Sequence, residues 1–381
     1  MPRQGRWVVK RTFDEDVRAF VPPMLPPDPP VDLARLARPL EAATAALGRL
    51  DGLIRILPDP HLFLYGYVRK EAVLSSQIEG TQSSLSDLLF HELDIAPGVP
   101  VDDVREVSRY VAAMDTGIRL LNQGLPLSSR MLRNIHKVLM TGSRGAERTP
   151  GEFRRSQNWI GGTRPGNARF VPPPPEEVAP LLADLERFLH ADDRLPKLVK
   201  AGIAHVQFET IHPFLDGNGR LGRLLITFYL YHERILSEPL LYISLFLKTH
   251  RDRYYELLQE VRISGDWEGW LEFFLEAVET TADGAAHTAS AALRLFESDR
   301  KVLQSLGRHA GTALRVHAWL QAHPLTTIKA CAAGTGLTLP PVGQALETMT
   351  KRGIAREVTG RKRDRVFAYR AYLDLLSSDQ T

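Results

Sequence analysis

From Asp32 onward, apolar residues return every three or four positions, and this regularity confines most of the chain to helices. Leu33, Leu36, Leu40, Ala43, Leu47 and Leu50 make one stripe of the kind a helix turns toward a core. The same period predicts helices over 61–79, 84–93, 100–122 and 128–140, then over 176–189, 196–209, 219–233, 248–263 and 267–304. Residues 1–32 read instead as an extended arm, because Pro22, Pro23, Pro26, Pro27, Pro29 and Pro30 fix φ and remove backbone donors. Between Gly151 and Pro175 the segments 158–162 and 168–171 flank a Gly, Pro and Asn stretch, which predicts a hairpin, the one convincing strand pair before the C-terminus. After residue 305 the order is helix near 311–322, helix 326–333, a Gly334-Thr335-Gly336 turn, helix 339–352 and a β-like tail from Ile354 to Tyr369, the order of a winged helix-turn-helix. The expected fold is mainly α, with a short β-hairpin and a small C-terminal winged helix-turn-helix domain.

A chain of 381 residues has room for two or three compact domains, each with its own core. The formal charge of +3 is too small to argue for nucleic acid by itself. Cys331 is the only cysteine, so no internal disulfide and no thiolate metal cluster can form, which fits a reducing cytoplasm. No signal peptide is visible, and the apolar runs Leu224 to Tyr231 and Pro239 to Leu247 fall short of the roughly 20 residues that span a bilayer. A soluble, cytoplasmic protein without a membrane partner is expected.

Phosphate chemistry is concentrated in twelve residues, His212-Pro213-Phe214-Leu215-Asp216-Gly217-Asn218-Gly219-Arg220-Leu221-Gly222-Arg223. Gly217 and Gly219 let the backbone approach an oxyanion, and the helix they open adds a partial positive charge of roughly +0.5 e at its N-terminus. Arg220 and Arg223, three apart, project from one helix face and can grip different oxygens of a polyphosphate. Asp216 offers the hard oxygen that Mg²⁺ prefers. His212 has an ordinary pKa of about 6.5 and can accept a proton near neutrality. His205 and Glu209, four apart on a helix, read as structural, since no third metal ligand stands at the expected spacing.

These residues fit the pattern H-x-F-x-[D/E]-G-N-G-R-x-x-R, which resembles the signature of the Fic family. Similar stretches lie upstream at Pro150-Gly151-Glu152-Phe153-Arg154 and Ala204 to Ile211, and downstream at Arg253 to Leu258, so that the resemblance covers roughly 70–280. It implies a protein adenylyltransferase that uses ATP and Mg²⁺ to place AMP on a Ser, Thr or Tyr hydroxyl of a target protein, with self-modification expected. His212 would be the base and Asp216 the Mg²⁺ ligand. Gly217, Asn218 and Gly219 would form the anion hole, Arg220 and Arg223 the phosphate clamps, and Phe214 the loop's buried anchor. The hairpin at Ile160, Gly161 and Gly162 resembles the family's target-docking flap, and Tyr255, Leu258 and Arg262 are expected in the adenosine pocket.

Ser75-Ser76-Gln77-Ile78-Glu79-Gly80 resembles the family's inhibitory motif [S/T]-x-x-x-E-[G/N]. Ser75 and Glu79 fall on one helical face, and Glu79 is expected to pair bidentately with Arg223 and hold the enzyme slow. The same motif also describes a helix end capped by Gly80. Some relatives use the equivalent glutamate to position water and remove AMP, so the resemblance leaves open a second, hydrolytic role for Glu79. Three parts are therefore expected: 1–100 with the arm and the inhibitory motif, 101–304 as a Fic core, and 305–381 as the winged helix. Lys351, Arg352, Arg356, Arg361, Lys362, Arg363, Arg365 and Arg370 crowd that last part and suit a DNA or protein partner. The alternative functions are a nucleotide-sensing DNA-binding regulator and an enzyme that transfers a different phosphate-containing group; the target and the oligomeric state, a homodimer included, are not legible.

Overall fold

Charged and apolar residues alternate from Arg6 to Val21, and this period of two builds the first element of the structure. The computed structural model describes residues 3–12, 15–55, 60–96, 98–142 and 147–377. In it β1 (Arg6–Thr12) and β2 (Glu15–Val21) pair antiparallel, Arg6 opposite Val21 and Thr12 opposite Glu15. The extended-arm reading is thereby corrected, since the proline cluster from Pro22 to Pro30 follows β2 and leaves the donors of β1 and β2 free to pair. Val17 and Ala19 turn inward against Val171, and the Phe20 amide donates to the Val171 carbonyl at 3.0 Å.

The helices follow the apolar period closely: α1 (Leu33–Arg55), α2 (Pro60–Ile78), α3 (Leu85–Glu92), α4 (Val101–Asn122), α5 (Ser129–Met140), α6 (Pro175–His190), α7 (Lys197–Ile211), α8 (Asn218–His232), α9 (Ser244–Thr249), α10 (Arg251–Ser264) and α11 (Trp267–Gln304). The helix expected over 248–263 is broken at His250, whose φ of −108° and ψ of 36° separate α9 from α10. The expected flap hairpin contains no regular strand. Ile160 and Phe170 make one isolated antiparallel bridge, because Gly161 and Gly162 take φ of 68° and 74° immediately afterwards and turn the chain out of register.

At the centre stands α7, buried at every position from Leu198 to Ile211, packed against α8, which is buried from Arg220 to Leu230. Buried polar groups of α7 find partners along the helix, with Glu209 Oε1 left without one among the described residues. Lys200 donates to the Ala191 carbonyl at 2.8 Å, and Gln207 donates to the Pro23 carbonyl at 2.9 Å. Gly117 lets α4 close on α8, since a Cβ there would come within 2.2 Å of the Phe228 ring. Around this pair, α1 runs along α11, and α2 lies between α4 and α9.

Beyond α11 come α12 (Ala310–Ala322), β3 (Leu325–Thr327), α13 (Ile328–Thr335), α14 (Leu339–Lys351), β4 (Arg356–Glu357), β5 (Val366–Ala368) and α15 (Arg370–Ser377). The strands form one antiparallel sheet in the order β3-β5-β4. The order of helices and hairpin is the expected one, with α15 added after it. This unit packs on α2, where Gly66 admits Leu376 of α15. Among the described residues no helix is long and apolar enough to cross a membrane.

Candidate active site

The loop between α7 and α8 begins at His212, which leaves the helix in the left-handed region with φ 49° and ψ 61°. For a residue with a Cβ this is a strained conformation that surrounding contacts must impose. Buried Arg154 supplies several of them. Its Nε donates to the His212 carbonyl at 2.9 Å, its Nη2 donates to the carbonyls of Pro173 and Ile211, and its amide donates to the Pro213 carbonyl. Asn218 closes the other side: its Oδ1 accepts from the Phe214 amide and its Nδ2 donates to the Phe214 carbonyl, each at 2.9 Å. The Asn218 side chain is thus committed within the loop, and its backbone amide remains at the first turn of α8.

Phe214 is fully buried and stacks on His136 of α5, centroids 3.7 Å apart. Nδ1 of His136 accepts from the Gly151 amide at 2.9 Å, so Nε2 carries the proton and donates to the Asp216 carbonyl at 2.9 Å. Burial pushes this imidazole down to about 4, which keeps it neutral in that bridging role. The bridge leaves the Asp216 carboxylate outside: it is 37% exposed, accepts from the Gly217 amide at 2.6 Å, and stands 3.6 Å from Arg148.

His212 itself is half-buried, and its Nδ1 is sealed inside without a hydrogen-bond partner among the described residues. Burial first, then the positive charges of Arg154 and Arg262, push the ring down to about 3. The imidazole is therefore neutral across the physiological range.

The two arginines of α8 are placed differently. Arg220 is buried and forms an ion pair of 2.7 Å with Glu106 of α4. Arg223, 1% exposed, donates from Nε to the Ser75 hydroxyl at 2.8 Å, and from Nη2 to the Ser75 carbonyl at 2.9 Å and to Glu79 Oε1 at 2.8 Å. The pairing with Glu79 is through one oxygen, not the bidentate contact expected. That oxygen lies over Gly219, where a Cβ would come within 2.4 Å of it. A carboxylate therefore already sits against the bare first turn of α8, the place where backbone amides and helix dipole favour an anion. Gly80, with φ of 102°, ends the helix that delivers Glu79.

On α10, Tyr255 is half-buried beside Tyr254, whereas Leu258 belongs to the core. Arg262 is buried, donates from Nε to the Thr210 hydroxyl at 3.1 Å, and lies 3.8 Å over the Phe170 ring. It braces the underside of the flap, and of these three residues only Tyr255 is not buried. His205 is held between the Gly222 carbonyl and the Tyr254 hydroxyl, as its structural reading requires. Glu209 is buried one turn before His212, with burial raising its carboxyl to about 7. Among the described residues no group of three or more His, Cys, Asp or Glu could hold a metal. The sequence alone does not assign the roles of Arg154, His136 and Glu106. Arg154 lies in the Pro150 to Arg154 stretch, but the other two carry no local signal, because their partners are distant in sequence.

The Fic/DOC family N-terminal domain matches residues 37–119, and the Fic/DOC family domain matches residues 126–230. The chain carries a Fic/DOC N-terminal domain and a Fic/DOC domain. Two curated relatives named protein adenylyltransferase Fic, from Culex quinquefasciatus and Aedes aegypti, are 30% and 32% identical to it over 62% and 54% of this chain. The matches take in 46% and 39% of those proteins, so the chain spans less than half the length of the curated relatives it matches. Among solved structures, a Fic family protein from Desulfovibrio desulfuricans G20 matches 87% of this chain and 95% of its own, with a TM-score of 0.56 at 20% identity. A Fic domain containing signaling protein from Bacteroides thetaiotaomicron VPI-5482 matches 66% of this chain and 97% of its own, with a TM-score of 0.52 at 17% identity. Both share the fold. The His212 loop lies inside the Fic domain of this chain, and the Ser75 to Gly80 segment inside its Fic N-terminal domain.

Proposed function

We propose that this Fic protein transfers AMP from ATP to a protein hydroxyl and that Glu79 restrains the transfer. The observation that carries the reading is the Glu79 carboxylate, seated over Gly219 and on Arg223 a few residues from a neutral imidazole at His212. An anion held there by the chain marks a seat for the anionic end of a substrate. In the proposed step the target hydroxyl oxygen attacks the α-phosphorus, the bond to the bridging oxygen of the β-phosphate breaks, and pyrophosphate leaves. His212 takes the hydroxyl proton on its neutral ring. The first turn of α8 orients the phosphates through its amides, and Arg154 and Asn218 hold the loop so that it need not reorganise. Asp216, partly exposed and oxygen-bearing, fits Mg²⁺ better than a softer metal, the remaining ligands coming from substrate and water. A bound Mg²⁺ supplies charge neutralisation at the phosphates. The flap from Ile160 to Phe170 is the surface on which a target segment would be registered.

Release of Glu79 from Arg223 frees a guanidinium for the terminal phosphate and raises the rate. Intact-mass spectrometry of the Glu79→Gly protein after incubation with ATP and Mg²⁺ in lysate tests the reading. The expected result is one adenylyl group on the protein or on a captured target, absent from Glu79→Gly/His212→Ala. An adduct of a different group would overturn the AMP assignment, and no adduct would overturn the transferase.

A second reading rests on the C-terminal unit, where Lys351, Arg352, Arg356, Arg361, Lys362 and Arg363 are all exposed around the β4–β5 hairpin. In that reading the Fic core senses nucleotide and the unit binds DNA. Salt-sensitive retention of the full chain on duplex DNA, without any His212-dependent transfer, would favour it.

A further inference from the structure

The flap belongs to a small layer of extended chain. The Phe20 amide of β2 donates to the Val171 carbonyl at 3.0 Å, and the bridge between Ile160 and Phe170 carries the layer on to the arm at 158–160. Among the described residues no strand pairs with the far side of that arm, so it is an open edge of the kind that accepts an added strand. The edge lies beside the reacting loop, because Asn158 donates from Nδ2 to the carbonyl of Phe214, two residues after His212, at 3.0 Å. The turn of the flap is braced as well: Glu15 of β2 accepts from the Gly166 amide at 2.9 Å and from the Arg164 guanidinium.

The charge beside this edge has one sign. Residues 153–175 include no Asp or Glu, and Arg155, Arg164 and Arg169 among them are exposed. The carboxylates around the flap are held in ion pairs: Glu15 with Arg164, Glu152 with Arg133 at 2.6 Å, Glu176 with Lys10, and Glu177 with Arg6 at 2.8 Å. Arg155 and Arg169 make no ion pair among the described residues. Arg169 flanks the open arm, its amide donating to the Ile160 carbonyl at 3.0 Å, and Arg155 precedes the arm in the chain. Unmatched guanidiniums beside a free strand edge attract a segment that carries carboxylates and repel one that carries cations.

We propose that the flap selects an acidic target segment: an extended strand added at 158–160, with Asp or Glu close to the accepting hydroxyl and those carboxylates held by Arg155 and Arg169. Main-chain pairing supplies the register, and charge-assisted hydrogen bonds from the two guanidiniums supply the choice of partner. Exposed charges of this kind act chiefly by steering encounter and by rejecting the wrong sign. The docking of an acidic strand stands on the flap itself, whereas transfer to its hydroxyl rests on the proposed transferase reading.

Fluorescence anisotropy on the full chain, without nucleotide, reads docking apart from activity. The probes are a short fluorescein-labelled peptide with a central Ser between alternating Glu and Val, the same peptide with Lys for every Glu, and a short DNA duplex. The acidic peptide should bind at least about tenfold more tightly than the lysine peptide. Arg155→Glu/Arg169→Glu should reverse that preference, and Arg155→Lys/Arg169→Lys should keep its sign; both side chains are exposed, so neither change disturbs the core. An acidic peptide that binds no better than the lysine peptide, or a preference unchanged in Arg155→Glu/Arg169→Glu, overturns the proposal. Duplex that binds more tightly than the acidic peptide and is lost in that variant overturns it in favour of nucleic acid. For transfer, Glu79→Gly with ATP and Mg²⁺ should adenylylate the central Ser of the acidic peptide. Adding Arg155→Glu/Arg169→Glu should raise KM for that peptide about tenfold with kcat little changed. Equal KM for the acidic and lysine peptides overturns the proposal. If Glu79→Gly transfers AMP neither to a peptide nor to itself, the transferase reading fails instead, and the anisotropy preference still decides the docking.

Discussion

The first turn of α8 faces two surfaces, and the carboxylates it meets there differ in how firmly they are held. Toward α4, Arg220 pairs with Glu106, and both side chains are buried, at 4% and 8% exposure. Toward α2, Arg223 is as deeply buried but its partner Glu79 is 35% exposed. Glu106 lies within α4, fixed by helix on both sides, whereas Glu79 follows the last residue of α2 and precedes Gly80, at a helix end. A carboxylate in mid-helix cannot leave without stranding a buried guanidinium, but one at a helix terminus can swing out into water. Two arginines that look equivalent three residues apart are therefore held differently: Arg220 by a carboxylate in mid-helix, and Arg223 by one at a helix end.

The largest effect lies outside both pairs. His212→Ala should lower adenylyl transfer by about 10²–10⁴-fold in the wild type and in Glu79→Gly alike, read as label incorporated from ATP. If the loss appeared only in one background, the two surfaces would not share a single reacting centre. Next comes the firm pair. Glu106→Ala leaves Arg220 buried and unpaired, and urea unfolding should show a loss of about 3–5 kcal/mol. A stable Glu106→Ala with raised transfer would break the distinction between the two arginines. Ser75→Ala sharpens the other side: it removes one bond to Arg223 while leaving Glu79 in place. Basal transfer should rise about fivefold, a change of order 1 kcal/mol, checked by the same incorporation assay.

The smallest effect is a dependence of stability on pH. Burial lowers His136, His205 and His317 to about 4 and His212 to about 3 from an ordinary 6.5. The unfolded chain therefore binds more protons at these four sites as pH falls below 6.5, and stability is lost in that direction. Glu71 and Glu209, raised to about 7 from 4.5, act oppositely and lose stability as pH rises through that window. Four groups outweigh two, so the thermal midpoint should fall from pH 6.5 to pH 5. Glu71→Gln/Glu209→Gln should fall more steeply, and a midpoint that rose on acidification would contradict these burials.

Much of this was legible in the chain, for reasons that differ from place to place. The helices follow from local apolar period, and α11 appears over 267–304 as the period predicts. The reacting loop was legible because its parts are contiguous in sequence. The break at His250 was not, since an apolar stripe runs on across it, and the flap read as a hairpin because two glycines that signal a turn also end the pairing. The β1–β2 hairpin was obscured by the prolines that follow it. Contacts that decide between the two arginines join residues more than a hundred apart, Glu106 with Arg220 and Glu79 with Arg223, and no spacing announces which carboxylate is held mid-helix.

The direct measurement is the rate at which purified wild type, Glu79→Gly and Glu79→Gly/His212→Ala acquire label from α-labelled ATP with Mg²⁺. The account predicts faster incorporation in Glu79→Gly than in wild type and none in the double variant. Equal incorporation in wild type and Glu79→Gly, or label persisting without His212, would contradict it.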